Sequence, residues 1–172
     1  MGTVATSSAR PTAPARPDSG ALERTKELKF ASVRSAVAYL RKRLNVPVAL
    51  PTYLPAGIEF GPQAKVFQSV LRGQMKSAQL TLMMGPKRPL IIQFGQSALD
   101  GCAPEDSVAV RVHGQDALLR TAPGWVDLIW PATHQTPEGV YGLSGSLSMD
   151  QMLHMAATMP RVMARSSASM GC

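Results

Sequence analysis

Apolar residues recur at two different spacings along this chain, and the change of spacing divides it into elements. Between residues 32 and 44, Val33, Val37 and Leu40 lie three or four positions apart, which predicts an amphipathic helix. Ser32 is a suitable N-cap for this helix, and a proline soon after Leu44 ends it.

The segment 46–60 (VPVALPTYLPAGIEF) interrupts both spacings. Its three prolines and one glycine exclude a helix and predict a rigid extended segment that leads into a turn. Tyr53 and Leu54, between two of the prolines, are expected to pack inward like a plug.

From there to Leu147 apolar and polar residues alternate with period two. Leu80 and Leu82 share one face of a predicted strand, and Val108 and Val110 share one face of another. Short Gly/Pro turns separate the strands, with no helix between them, which is typical of antiparallel meanders. The sequence therefore predicts an α+β fold, with a meander sheet of about six or seven strands covered by an N-terminal and a C-terminal helix.

The stretch 140–160 (VYGLSGSLSMDQMLHMAATMP) predicts a strand, a Gly/Ser-rich turn and that second helix. Ser148 and Gln151 form an S-x-x-Q capping box at the helix start, and Leu147 and Met152 have the spacing of a hydrophobic staple. These signals indicate that the turn is a structural corner.

Three chemical interpretations of the same turn do not fit. A nucleophile elbow with Ser144 lacks its second glycine, because Ser146 stands there, and a P-loop lacks its lysine. Met149, Met152 and Met155 have a spacing that could hold Cu(I). Helical geometry instead places Met149 and Met152 on a core face, Met155 at its margin and His154 on the opposite side. We therefore expect no catalytic residue, no metal and no cofactor, and a hydrolase ranks third among the possible functions.

The net charge of +7 is concentrated near the N-terminus. Residues 1–50 hold nine Lys/Arg against three acids, and residues 51–172 hold nine against eight. The positions of Arg41, Lys42 and Arg43 in the last turn of the first helix are explained by its dipole. The alternative is that these cations and Arg34 contact an anionic surface. Nucleic acid is not favoured as a partner, because no strand combines basic and aromatic residues.

Composition divides the chain into a Pro/Ala/Ser-rich basic tether (1–30), one α+β domain (31–160) and a C-terminal tail (161–172). No run of residues has the length and apolarity of a transmembrane helix, and the N-terminus does not have the pattern of a secretory signal. The tether is explained either by the removal of an upstream anchor or by a ragged end on a cytoplasmic protein.

Two cysteines, Cys102 and Cys172, allow one disulfide. In an oxidising compartment the bridge would contribute on the order of 4 kcal/mol, whereas in the cytosol both thiols would stay free. His134 and Glu138 could form a polar site in the loop after Trp130, but a solvated loop is the favoured explanation of both residues.

Three segments in order, 46–60, 126–145 and 146–159, resemble a bacterial domain family of unknown function. The resemblance rests on P-x-Y-L-P-x-G (51–57), a strand ending in Trp130, Y-x-L-x-G (141–145) and a helix that begins Leu147-Ser148. That family occurs in envelope lipoproteins and in the outer portions of anti-sigma factors. The last strand and helix are also similar to the C-terminal domain of periplasmic regulators of the envelope stress response. The resemblance implies an extracytoplasmic domain in the cell envelope and carries no catalytic residues.

Together these observations predict a non-catalytic binding or sensory domain for a protein or a small apolar ligand. The expected ligand groove lies between the sheet and the second helix and is lined by Tyr53, Leu54, Trp130, Tyr141, Met149, Met152 and Met159. The alternative is an interaction module or subunit that docks through its basic arm on an acidic protein or an anionic lipid surface.

Overall fold

The computed structural model describes residues 23–44, 46–71, 74–96, 106–131 and 139–159. They form eight strands and two helices in the order β1 (Glu23–Phe30), α1 (Val33–Arg41), β2 (Phe60–Leu71), β3 (Gln74–Met84), β4 (Pro89–Gln96), β5 (Val108–Val112), β6 (Gln115–Ala122), β7 (Trp125–Pro131), β8 (Gly139–Gly145) and α2 (Met149–Ala157).

All eight strands belong to one antiparallel sheet with the order β1-β2-β3-β4-β8-β7-β6-β5. The predicted α+β class is confirmed, and the strand count is slightly higher than expected. The sheet consists of two four-stranded meanders that join where β4 pairs with β8. In that pairing Ile92 lies opposite Leu143 and Phe94 opposite Tyr141, so the seam places large buried side chains at the centre of the sheet.

Residues 23–30, which the composition assigns to the tether, form strand β1 at the edge of the sheet. Leu28 and Phe30 pack against the core, while Glu27 and Lys29 are on the other face of the strand. Glu27 pairs with Lys65 of β2 at 3.4 Å. Charged side chains are common on edge strands, because they discourage pairing with other chains. The composition of β1 therefore looks like that of a polar arm, although the segment is a strand. The remainder of the tether, 1–22, and the predicted tail lie outside the described residues.

One face of the sheet is covered by both helices. Helix α1 packs mainly against β2, with further contacts to β1 and β3, and α2 packs against β7 and β5. The buried residues of both helices belong to the same apolar cluster as the inward side chains of the strands. The two helices therefore form a single layer over one continuous core.

The opposite face of the sheet is not covered by either helix. Lys65, Thr81, Ile91, Ser144 and Asp127 lie next to one another in register across five strands on this face. Each is at least partly accessible to solvent. The strands alternate in polarity because only one of their two faces is buried.

Candidate functional site

The expected ligand groove is filled by its own side chains. Trp130, Tyr141, Met152 and Met159 are all at most 3% exposed and belong to the core cluster. The rings of Trp130 and Tyr141 lie 5.7 Å apart between centroids. In this conformation these four residues do not form an accessible surface for a ligand.

The burial of the methionines in α2 differs from the burial that the helical projection predicts. Met155, placed at the margin of the apolar side, is fully buried, and Met149 is 45% exposed. Met149 is the first residue of the helix, so it has no preceding helical turn to pack beside it. Of the seven expected groove residues, only Met149 is largely exposed, and Tyr53 and Leu54 are half-buried.

The extended segment 46–55 closes the space above these residues. The Tyr141 hydroxyl donates a hydrogen bond to the Pro47 carbonyl oxygen at 2.7 Å. Burial raises the pKa of Tyr141 to about 12, so its phenol remains a protonated donor across the physiological pH range. This bond fixes the start of the segment on strand β8.

The other end of the segment is held by α2. The Thr158 hydroxyl oxygen accepts hydrogen bonds from the backbone N–H groups of Thr52 (3.0 Å) and Tyr53 (3.2 Å), and it donates to the Met155 carbonyl. The ring of Tyr53 stacks on His154, with centroids 3.7 Å apart and planes 10° apart. Tyr53 and Leu54 pack against the core, as expected for a plug.

The second group of predicted residues remains on the surface. We call Arg34, Arg41, Lys42 and Arg43, in and directly after α1, the basic surface. All four are exposed, and none forms an ion pair with a residue that the structure describes. Helix α1 also has no acidic residue in its first turn. The positive charge of this helix is therefore not neutralised from within the described part of the chain.

Two of these four cations also have structural contacts. The Arg41 Nε donates to the Val48 carbonyl oxygen at 2.9 Å, which attaches the extended segment to α1. The guanidinium of Arg43 lies 5.0 Å from the centre of the Tyr39 ring. Arg34 and Lys42 have no such described contact, so they can be substituted with little effect on the fold.

A shallow depression of about 380 Å³ lies beside the basic surface. Arg34 and Arg41 are seven residues apart, which is about two helical turns, and they belong to the same side of α1. The lining combines these two cations with apolar side chains from α1 and from the extended segment: Val33, Arg34, Val37, Ala38, Arg41 and Leu50. The contribution of Leu50 was not predicted, because it depends on how the segment folds back along the helix.

The described residues contain no group of three or more His, Cys, Asp or Glu side chains that could hold a metal ion. Ser144 lies on the uncovered face of the sheet, in register with Ile91 and Asp127. Cys102, Cys172, His134 and Glu138 lie outside the described residues, so the disulfide and the polar site stay predictions.

Comparison of the chain with protein-family models, with curated proteins and with solved structures finds no match. Among the residues that the structure describes, neither helix is long and apolar enough to cross a membrane.

Proposed function

We propose that this chain is a non-catalytic binding domain of the bacterial envelope, and that its basic surface docks on an anionic lipid membrane. The envelope location rests on the sequence resemblance. The observation that carries the docking proposal is the set of four exposed cations at α1, which lack a described acidic partner and adjoin a partly apolar depression.

Charge and apolarity together favour a lipid surface as the partner. A Lys or Arg near an anionic membrane contributes about 1 kcal/mol, so four cations contribute at most about 4 kcal/mol, or roughly a thousandfold in partitioning. Val33 and Leu50 are half-buried beside Arg34 and can contact the acyl boundary once the arginines reach the phosphates. A purely polar acidic surface would satisfy the charges but not this apolar lining.

The proposal predicts that the full chain binds vesicles containing about 30% phosphatidylglycerol and not vesicles of phosphatidylcholine alone. Raising the salt from about 0.05 M to about 0.5 M should release it, because screening weakens attraction between exposed charges. The double variant Arg34→Glu with Lys42→Glu should lose nearly all binding. Co-sedimentation with vesicles measures each of these outcomes.

The matched control is Lys76→Glu with Lys87→Glu, which changes the net charge by the same four units in β3 and in the turn that follows it, outside the lining of the α1 depression. The control variant should keep most of the binding. If both variants lose binding equally, attraction follows the net charge alone and α1 is not the docking surface.

A buried donor supports a second candidate, the binding of a small apolar ligand in the predicted groove. The indole N–H of Trp130 is buried and has no hydrogen-bond partner among the residues that the structure describes, and such an unpaired group costs about 1–3 kcal/mol. A ligand with an acceptor oxygen would pair this N–H if segment 46–55 moved aside. Native mass spectrometry tests this candidate, since a retained ligand adds its mass and an adduct-free spectrum argues against it.

A further inference from the structure

A second depression, of about 280 Å³, lies at one end of the sheet, away from the lining of the α1 depression. Its walls come from the turn before β4, the hairpin between β6 and β7, and the connection from β8 to α2. The lining residues are Arg88, Ala122, Gly124, Trp125, Val126, Ser146 and Leu147. We call it the rim pocket. Its volume is slightly below the ~300–1,000 Å³ usual for ligand pockets, which restricts it to a small ligand.

The aromatic wall of the rim pocket is held in a fixed orientation. The Trp125 Nε1–H donates to Asp127 Oδ1 at 2.9 Å, so the indole dipole is already paired and its ring is held in place. Val126 and Leu147 also line the pocket, but both are less than 9% exposed and their side chains belong to the core cluster. A flat apolar group would find a preformed surface here, at little cost in ordering side chains.

The charged wall of the rim pocket is Arg88. Its guanidinium is exposed and forms no ion pair with any described residue. Its backbone is fixed because the Met84 N–H donates to the Arg88 carbonyl oxygen at 2.7 Å. An arginine with free donors is suited to a carboxylate, which it can bind through two parallel hydrogen bonds.

The remaining groups limit the ligand to a single negative charge. None of the lining residues is acidic, and Ser146 adds one hydroxyl that can donate to a carboxylate. The flanking elements carry Asp127, whose Oδ1 is paired with Trp125, and Asp150 in the first turn of α2. A second negative charge on the ligand would find no second cation in the lining.

We propose that the rim pocket binds a small organic monocarboxylate with a flat apolar group, the carboxylate on Arg88 and the apolar group against the Trp125 indole. This proposal is independent of membrane docking, because it uses other residues at another place in the fold.

The test is a titration of the ¹⁵N-labelled full chain with benzoate, followed by two-dimensional NMR. The indole N–H signal of Trp125, assigned by its loss in Trp125→Phe, should shift saturably with a dissociation constant on the order of a millimolar. Acetate, which lacks the ring, and benzyl alcohol, which lacks the charge, should each shift it much less at the same concentration.

Arg88→Gln should raise the benzoate dissociation constant about tenfold or more, since a charge-assisted hydrogen bond is lost. The neighbouring Lys87→Gln, with the same change of charge, should leave it within about twofold, because Lys87 is not in the lining. The spectrum itself reports whether each variant is folded. The proposal is overturned if the Trp125 signal does not shift, if acetate or benzyl alcohol shifts it equally, or if Arg88→Gln binds as well as Lys87→Gln.

Discussion

At the scale of single residues, two hydroxyl groups attach the extended segment to the rest of the fold. Tyr141 holds Pro47 from strand β8, and Thr158 holds Thr52 and Tyr53 from the end of α2. Each hydroxyl lies far along the chain from the backbone group it binds. The segment has no regular secondary structure, so these side chains replace the hydrogen bonds that a helix or sheet would supply.

Tyr141 gives a prediction for stability at alkaline pH. Its pKa is about 12 in the folded protein and 10 in the unfolded chain, so between these values the unfolded state loses the proton first. The free energy of unfolding should therefore decrease as the pH rises from 10 to 12, and this contribution is fully present below pH 10.

Urea unfolding at pH 8, 10 and 11.5 measures this decrease, and Tyr141→Phe is the control. Removing the hydroxyl should cost about 1 kcal/mol at neutral pH, through the lost bond to Pro47. The variant should also show a smaller decrease than the natural chain at high pH. Equal decreases in both proteins would mean that Tyr141 does not titrate with a raised pKa.

At the scale of elements, β1 shows where local sequence patterns were insufficient. Its sequence, ERTKELKF, has five charged residues among eight positions. Only Leu28 and Phe30 reveal the alternation, and Phe30 has a ring contact with Tyr39 of α1 at 5.3 Å. Two apolar positions are too few to distinguish a strand from a polar tether.

This correction predicts different effects for two truncations. Removing residues 1–22 should leave the melting temperature nearly unchanged, since β1 remains. Removing residues 1–30 should destabilise the domain by several kcal/mol, because Leu28 and Phe30 contribute about 2–3 kcal/mol each at most and the edge of β2 is uncovered.

Circular dichroism during heating compares the two truncated chains with the full chain. If both truncations melt at the same temperature, β1 does not contribute to stability, and the boundary at residue 30 was the better one.

The elements with strong local signals were predicted correctly. Ser148 and Gln151 form both hydrogen bonds of the capping box, at 3.2 and 3.0 Å, and Ser32 caps α1. The pairing of β4 with β8 could not be predicted, because alternation identifies the faces of a strand and not its neighbours. Phe94 and Tyr141 are 47 positions apart in the sequence and opposite each other in the sheet.

At the scale of the whole molecule, the two predicted sites depended on different kinds of information. The sequence offers the cations in and after α1 as an alternative contact with an anionic surface, and all four are exposed in the structure. Whether Trp130 and Met152 leave room for a ligand depends on how completely the helices and the extended segment fill the core. Sequence periodicity gives the direction of a side chain but not the volume left beside it.

The uncovered face of the sheet is the other large surface of the molecule, and it offers a contrast to α1. It mixes charged pairs, such as Glu27 with Lys65 and Arg120 with Asp106, whose charges largely cancel. An anionic membrane therefore has little reason to prefer that face. Docking through α1 would leave it pointing away from the lipid.

The most direct test of α1 docking is hydrogen–deuterium exchange of the full chain, measured by mass spectrometry with and without phosphatidylglycerol vesicles. Peptides covering 33–44 and 46–50 should exchange more slowly when vesicles are present, while peptides covering β5 and β6 should not change. Protection of the β5–β6 hairpin, or unchanged exchange in α1 under conditions where the protein is bound, would contradict docking through the basic surface.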